Sequence, residues 1–175
     1  MFENNKVKIR ALEPEDLSIL YKWENDTSVW QYSETFSPFS HFTLKKYLEN
    51  AHLDIFEAKQ IRFIIECNDL EKPVPIGIID LFDYNAMHNR AGIGILIGDK
   101  SFRKKGYAKE AIRLIIDYAF SILNLHQLFC NISASNSVSL KMFQQLHFEI
   151  TGTKKEWFFN GKEWEDEYFL QLFKF

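Results

Sequence analysis

Residues Arg103-Lys104-Lys105-Gly106-Tyr107-Ala108 put three cations and a glycine between an apolar, strand-like run and a long amphipathic helix pattern. Upstream, Ala91-Gly92-Ile93-Gly94-Ile95-Leu96-Ile97-Gly98 is rich in branched residues and punctuated by glycines, which suits a buried strand. Downstream, Ala111, Leu114, Ile115, Tyr118, Ala119 and Ile122 recur at helical spacing. A strand that feeds a helix through such a turn is suited to holding an anion. The first helical amides have no internal acceptor, and the dipole end favours negative charge. Gly106 allows the backbone to approach a ligand closely. Arg103, Lys104, Lys105 and Lys109 add charge suited to a pyrophosphate or ribose phosphate. Taken alone, the hexapeptide also fits a solvated surface turn. The flanking strand and helix favour the anion site without identifying the anion.

Carboxylates form the second group. Asp80 and Asp83 lie on and just beyond the apolar run Ile76–Phe82. Their odd separation turns them to opposite faces of a regular strand, so at most one faces a common centre. Asp83, nearer the turn, is the first choice for holding a cation or relaying its proton. A solvated or capping carboxylate is the competing reading there, and a structural, hydrogen-bonded one is favoured for Asp80. Glu24, Asp26 and Glu34, with Trp23, Trp30, Tyr32 and Phe36 nearby, make a candidate acidic, aromatic pocket for an ammonium group. Surface charges over a local aromatic cluster are the alternative. The five histidines show no metal-ligand spacing, and no metal is expected. Only His88 is retained as a proton-relay candidate.

The elements that position these groups read β-α-α-β-β-β-α-β-α-β-β, with no internal repeat or linker. This predicts one mixed α/β domain over residues 1–175. Val7–Leu12 is a strand, and Pro14 opens a helix through Leu17, Leu20 and Tyr21 that ends near Asn25-Asp26. Thr43–Ala58 reads as one helix. Phe63–Cys67, Ile76–Phe82 and Ala91–Ile97 form an antiparallel meander. The unit from Ala91 to Ile132 is a right-handed crossover with parallel strands. Val138–Leu146 is a short helix capped near Ser135 or Asn136. Two aromatic-rich strands around Asn160-Gly161 close the chain as a hairpin.

Composition narrows the class. With 175 residues, 46% hydrophobic and 16% aromatic, the chain can bury a substantial core. A formal charge of −3 gives no reason to expect nucleic acid as the partner. Residues 1–90 carry ten Lys and Arg against fifteen Asp and Glu, and residues 91–175 carry eleven against nine. That split is compatible with an anionic cosubstrate in the second half and a cationic substrate in the first. Cys67 and Cys130 read as small buried hydrophobes; a single pair does not establish a disulfide. No stretch is long and apolar enough to span a bilayer, and the N-terminal residues have no apolar signal region, so a cytoplasmic protein is expected.

Over essentially its whole length the chain resembles the GNAT superfamily of acetyl-coenzyme A-dependent N-acetyltransferases. The resemblance rests on Arg103-x-x-Gly106-x-Ala108 in a strand-to-helix position, on Asn136-x-x-Ser139 opening the following helix, and on the terminal hairpin. It implies a mostly antiparallel mixed sheet with a central parallel β-α-β unit, and acetyl-coenzyme A as cosubstrate. By the same resemblance, Ile95, Leu96 and Ile97 line the pantetheine arm and Arg103–Ala108 cradle the diphosphate. Asn136 and Ser139 contact the arm from the other side. A backbone amide near Ile97 polarises the thioester carbonyl. Direct attack by the amine is expected, because no Cys or Ser has an activating base beside it.

Arg10–Leu17, Arg62–Cys67, His88–Ala91 and Asp117–Leu125 are similar to the spermidine N-acetyltransferase branch. The RimJ/RimL-like branch, which acetylates protein N-termini, shares the opening Arg10-Ala11-Leu12-x-x-x-Asp16-Leu17 and the terminal hairpin, so those two features do not separate the branches. One departure stands out: Phe143 occupies the position where many members carry a thiolate-protonating Tyr. Three readings follow, in order of preference: acetylation of a small cationic amine such as spermidine or a diamine, acetylation of a peptide α-amine, and acetyl-coenzyme A binding without turnover. The Ser33–His41 segment, closing or opening one end of the cleft, separates the first two. The exposed hairpin suits a homo-oligomer.

Overall fold

The computed structural model describes residues 2–30 and 35–174. Among them eight strands form one mixed sheet. β1 (Phe2–Glu3), β2 (Val7–Ala11), β3 (Ile61–Cys67), β4 (Val74–Asn85) and β5 (Arg90–Ile97) pair antiparallel, each with the next. β6 (Gln127–Ser133) lies parallel to β5; β8 (Trp164–Phe173) follows it, with β7 (Glu149–Phe159) at the edge. The meander, the parallel crossover and the terminal hairpin all stand as the sequence predicts. No described helix is long and apolar enough to cross a membrane.

Each face of the sheet buries its own helices. α5 (Tyr107–Ser121) turns Ala111, Ile112, Ile115 and Ala119 inward, all fully buried, against Val7, Ile9, Ile65, Ile79 and Ile93. α6 (Ser137–Gln144) packs on the same side through Phe143. The opposite face takes α1 (Leu17–Glu24) and α3 (His41–Glu49), whose Leu20, Trp23 and Leu44 close over Ile64 and Ile78. Each such aliphatic side chain taken from water stabilises by roughly 1.5–3 kcal/mol, and the alternation along β3 and β4 supplies both faces at once.

The expected helix over Thr43–Ala58 is two helices. Ser40 caps α3 by accepting the Thr43 amide, and Asn50 ends it; α4 (Ile55–Ala58) starts anew under Asp54, which accepts the Phe56 and Glu57 amides. Asn and Asp side chains compete for backbone groups, and here they win over helical periodicity. A short α2 (Thr27–Trp30) and the edge strand β1 are further additions.

The start of α1 is pinned to the sheet by Arg10 on β2. Its Nη atoms donate to both Asp16 oxygens at 2.7 and 2.9 Å, and its Nε to Glu66 at 2.7 Å. Asp16 also accepts the Glu13 amide, closing the capping turn. The hydrogen bond to Asp16 outweighs burial and raises the Arg10 pKa above its ordinary value. Asp16→Ala is therefore expected to lower unfolding free energy by about 3 kcal/mol in urea titrations, because a nearly buried partner disappears from a charged pair. Lys8→Gln, on the 3.7 Å contact to Glu66, should shift it by under about 0.5 kcal/mol.

Candidate active site

The parallel ladder between β5 and β6 is short. It joins Arg90, Gly92 and the residue between them to Gln127–Phe129, and there it stops. β6 goes on pairing with β8 as far as Ser133, while β5 goes on pairing with β4 as far as Ile97. The two strands therefore part beyond Gly92, and the outer edge of Ile93–Ile97 has no strand neighbour among the described residues. The side chains of Ile95 and Ile97 pack into the α5 core and that of Leu96 into the α1/α3 core. Backbone groups alternate along the strand: the Leu96 carbonyl turns toward Gly77 of β4, and the Ile97 carbonyl accepts from Arg103. What the outer edge offers an amide-bearing arm is thus the N–H and C=O of the alternate residues that turn away from β4, Ile95 among them.

At the end of that edge the chain turns into α5. Lys104 (φ 60°) and Gly106 (φ 86°) are both left-handed, which folds the loop into a concavity at the helix N-terminus. Gly106 is the N-cap and supplies no side chain to the first amides. Arg103 donates from Nε to the Ile97 carbonyl at 2.8 Å, while its Nη2 is buried and unpartnered. A buried guanidinium nitrogen without an acceptor fits an anion in this cradle. Tyr107 anchors the loop from below, its hydroxyl donating to Asp69 at 3.1 Å. The sequence reading missed Lys6, whose Nζ lies 5.0 Å from the Tyr107 ring centroid and 3.3 Å from where a Cβ on Gly106 would stand. Asn136 caps α6 by accepting the Ser139 amide at 3.2 Å, which ties these two residues together at the start of the helix that follows β6.

On the α1/α3 face, Asp80 lies opposite Gly94 in the β4–β5 ladder. Its Oδ1 stands 2.9 Å from where a Gly94 Cβ would be, while Oδ2 accepts from Gln60 at 2.7 Å and sits 3.5 Å from Arg62. Arg62 donates to Glu24 at 2.6 Å and stacks over Tyr47 at 5.3 Å. Burial opposes the Arg62 charge, but Asp80, Tyr47 and Glu24 outweigh it and raise its pKa. Neither Gln60 nor Arg62 was singled out as a site residue from spacing. The available signal was a lone cation near the start of a strand otherwise destined for burial, which demands partners.

Asp83 is placed differently. It occupies a β-bulge with φ 49°, exposed, with no residue opposite it on β5. The bulge also cancels the simple alternation: Tyr84 joins Leu81 and Ile79 in the α5 core, where a regular strand would send it to the other face.

Among the described residues of the acidic, aromatic pocket expected before α3, several are partnered by neighbouring elements. Trp23 is buried against Gly98, Glu24 is held by Arg62, and Asp26 is paired with Lys100 at 2.9 Å. Hydrogen bonds from Ser28, then Lys100, hold the Asp26 carboxyl below its usual range. Phe36 is exposed. Tyr32, Ser33 and Glu34 lie outside the described residues. His88 is exposed in the β4–β5 turn. Phe143 is buried, edge-on to Phe148 at 5.0 Å.

A family model described as "Acetyltransferase (GNAT) domain" matches residues 6–149. Spermidine N(1)-acetyltransferase of Escherichia coli (strain K12) is 33% identical over 159 residues, covering 90% of this chain and 81% of the relative. The structure of spermidine N-acetyltransferase from Vibrio cholerae in complex with CoA and spermine superposes with a TM-score of 0.86 at 26% identity, covering 97% and 96% of the two chains. A dodecameric structure of the Vibrio cholerae enzyme, in an intermediate state, gives 0.79 at 27% identity over 97% and 95%.

The left-handed N-cap leads to a direct test. A branched side chain at φ 86° is strained whatever the space. Gly106→Val is expected to weaken coenzyme A binding about tenfold or more by calorimetry, equivalent to ~1.4 kcal/mol.

Proposed function

The chain belongs to the GNAT acetyltransferase family and is an acetyl-coenzyme A-dependent amine N-acetyltransferase; within that family we propose that its acceptors are polyamines, spermidine and spermine foremost. The observation that carries this reading is Asp80. Its carboxylate is only partly neutralised, and one oxygen faces Gly94 where β5 leaves β6. A cationic amine placed there meets a carboxylate beside the free strand edge. The likeness to spermidine acetyltransferases along nine-tenths of the chain supports the same substrate class.

Acetyl-coenzyme A supplies the acetyl group as a thioester, and the protein does the positioning. The β5 edge at Ile95–Ile97 pairs the pantetheine amides, and Asn136 with Ser139 bounds the arm from the α6 side. The loop from Arg103 to Ala108, including Lys104, Lys105 and Tyr107, holds the diphosphate. Asp80 pairs with the arriving ammonium and accepts its proton as the nitrogen becomes nucleophilic. Asp83, exposed at the bulge, serves the outer part of the acceptor. Transfer is direct, within a complex of both substrates. Neither thiol suits an acyl-enzyme, since Cys67 and Cys130 are buried and burial raises both pKa values.

We further read the terminal hairpin as an interface between copies. Trp157, Phe159 and Trp164 are 57%, 51% and 62% exposed there, and the dodecameric relative spans nearly the same length of chain. Light scattering is expected to report a multiple of the 20.8 kDa chain; a monomer at micromolar concentration would remove this assignment.

Following free thiol release from acetyl-coenzyme A across polyamines, amino acids, aminoglycosides and short peptides tests the acceptor. Release should require spermidine or spermine. Asp80→Asn should reduce kcat/KM for spermidine about 100-fold or more, the usual scale for losing a proton acceptor, and Asp83→Asn less than about tenfold. Release with peptides alone would replace the polyamine reading with α-amine acetylation.

A further inference from the structure

The carboxylates on the α1/α3 face are not balanced by the cation between them. Arg62 reaches Glu24 with Nη1 at 2.6 Å but stands 3.5 Å from Asp80 with Nη2, and its Nε is buried without a partner. Side-chain exposures of 19% for Arg62, 17% for Glu24 and 13% for Asp80 leave little water to screen the difference. Among the described residues the remaining contacts are neutral: Gln60 on Asp80 Oδ2, the Tyr47 ring over the guanidinium, and Trp30 Nε1 on the Glu24 backbone carbonyl at 2.8 Å. Three charged groups thus carry one uncompensated negative charge, and the free oxygen expressing it, Asp80 Oδ1, faces Gly94.

We infer that Arg62 is a positioning residue that sets the charge of the acceptor site: it neutralises Glu24, orients Asp80 through Oδ2, and leaves one negative charge for the acceptor's ammonium to fill. The site then reads Glu24, Arg62, Asp80, ammonium, alternating in sign. Glu24 is essential to this arrangement although it does not touch the acceptor. With Glu24 neutral, the whole Arg62 charge falls to Asp80 and the ammonium loses its place. The inference rests on the polyamine reading and specifies how that site discriminates. A purely structural network tying α1 and α3 to β3 would change stability without separating the two substrates.

The test is steady-state kinetics of Glu24→Gln with spermidine and acetyl-coenzyme A varied in turn. The expected result is a KM for spermidine raised about tenfold or more, with the KM for acetyl-coenzyme A within twofold of wild type. The double variant Glu24→Gln with Arg62→Gln restores one net negative charge, so the KM for spermidine should fall back toward wild type. Equal changes in both KM values, an unchanged KM for spermidine, or no recovery in a folded double variant would each overturn the inference while leaving the polyamine reading intact. A wild-type enzyme silent toward spermidine and spermine would overturn both.

Discussion

Every polar group of a strand needs a partner, and β5 has a strand neighbour along only part of one side. On the β4 side its ladder runs from Arg90 to Ile97, interrupted only at the bulge. On the β6 side the ladder ends at Gly92. Arg103 answers the Ile97 carbonyl, and the rest of that edge remains to be paired by something with amides of its own. The neighbouring elements follow from this parting. β6 keeps its other partner, β8, and is therefore free to diverge. The α5 N-terminus lies at the open end of β5, and Asn136 opens α6 just past the end of β6. Gly92 and Gly94 have no side chains, so Phe82 and Asp80 of β4 can lie directly across β5 toward the gap.

The two faces of the sheet divide the work. Under α5 and α6 the packing is almost wholly apolar, which suits a support that need not move or discriminate. Under α1 and α3 the core is smaller and is flanked by charged side chains. α1 is held at both ends by arginines from adjacent strands, with Arg10 of β2 on Asp16 at its start and Arg62 of β3 on Glu24 at its end. Buried ion pairs are weak sources of stability, since desolvation offsets much of the attraction. Their merit here is direction. A guanidinium fork fixes where its carboxylates point, as a hydrophobic contact of similar area would not.

What spacing could reveal was the part of the protein built from contiguous chain. The change from branched, strand-like residues before Arg103 to helical recurrence after Gly106 marks a β-turn-α unit, and Asn160-Gly161 marks the hairpin, where Gly161 takes φ 94°. Arg103–Ala108 could be singled out because a strand-to-helix turn is built from contiguous chain. The acceptor side was not visible in this way, because Glu24, Tyr47, Arg62 and Asp80 come from four elements and meet only in the folded sheet. Asp83 stood out in the sequence because it lies nearer the turn; the bulge it occupies is not legible there, and its left-handed backbone changes the face on which Tyr84 lies. The long helix over Thr43–Ala58 failed for a related reason, since Asn50 and Asp54 claim backbone groups that periodicity assigns to the helix.

The phenylalanine standing where relatives of this fold often carry a tyrosine has a structural explanation that reaches beyond its own position. α6 ends with the Phe148 amide on the Phe143 carbonyl and the His147 amide on that of Gln144, with His147 left-handed at φ 67°. In this helix stop the residue after the left-handed one packs against the residue five before it. Phe148 does so, meeting Phe143 edge-on at 5.0 Å. A histidine in the left-handed region is less comfortable than glycine by roughly 1 kcal/mol, and an aromatic pair contributes about as much in return. The aromatic ring at 143 is thus committed to closing the helix, 4% exposed and without a hydroxyl. A thiolate is already a good leaving group near neutral pH, so a protein acid at its departure is dispensable. The proton on the incoming amine is not, because an ammonium cannot attack. Among the described carboxylates, the one the proposed mechanism draws on for that proton, Asp80, stands opposite Gly94 of β5 with one oxygen left to Gln60 and Arg62.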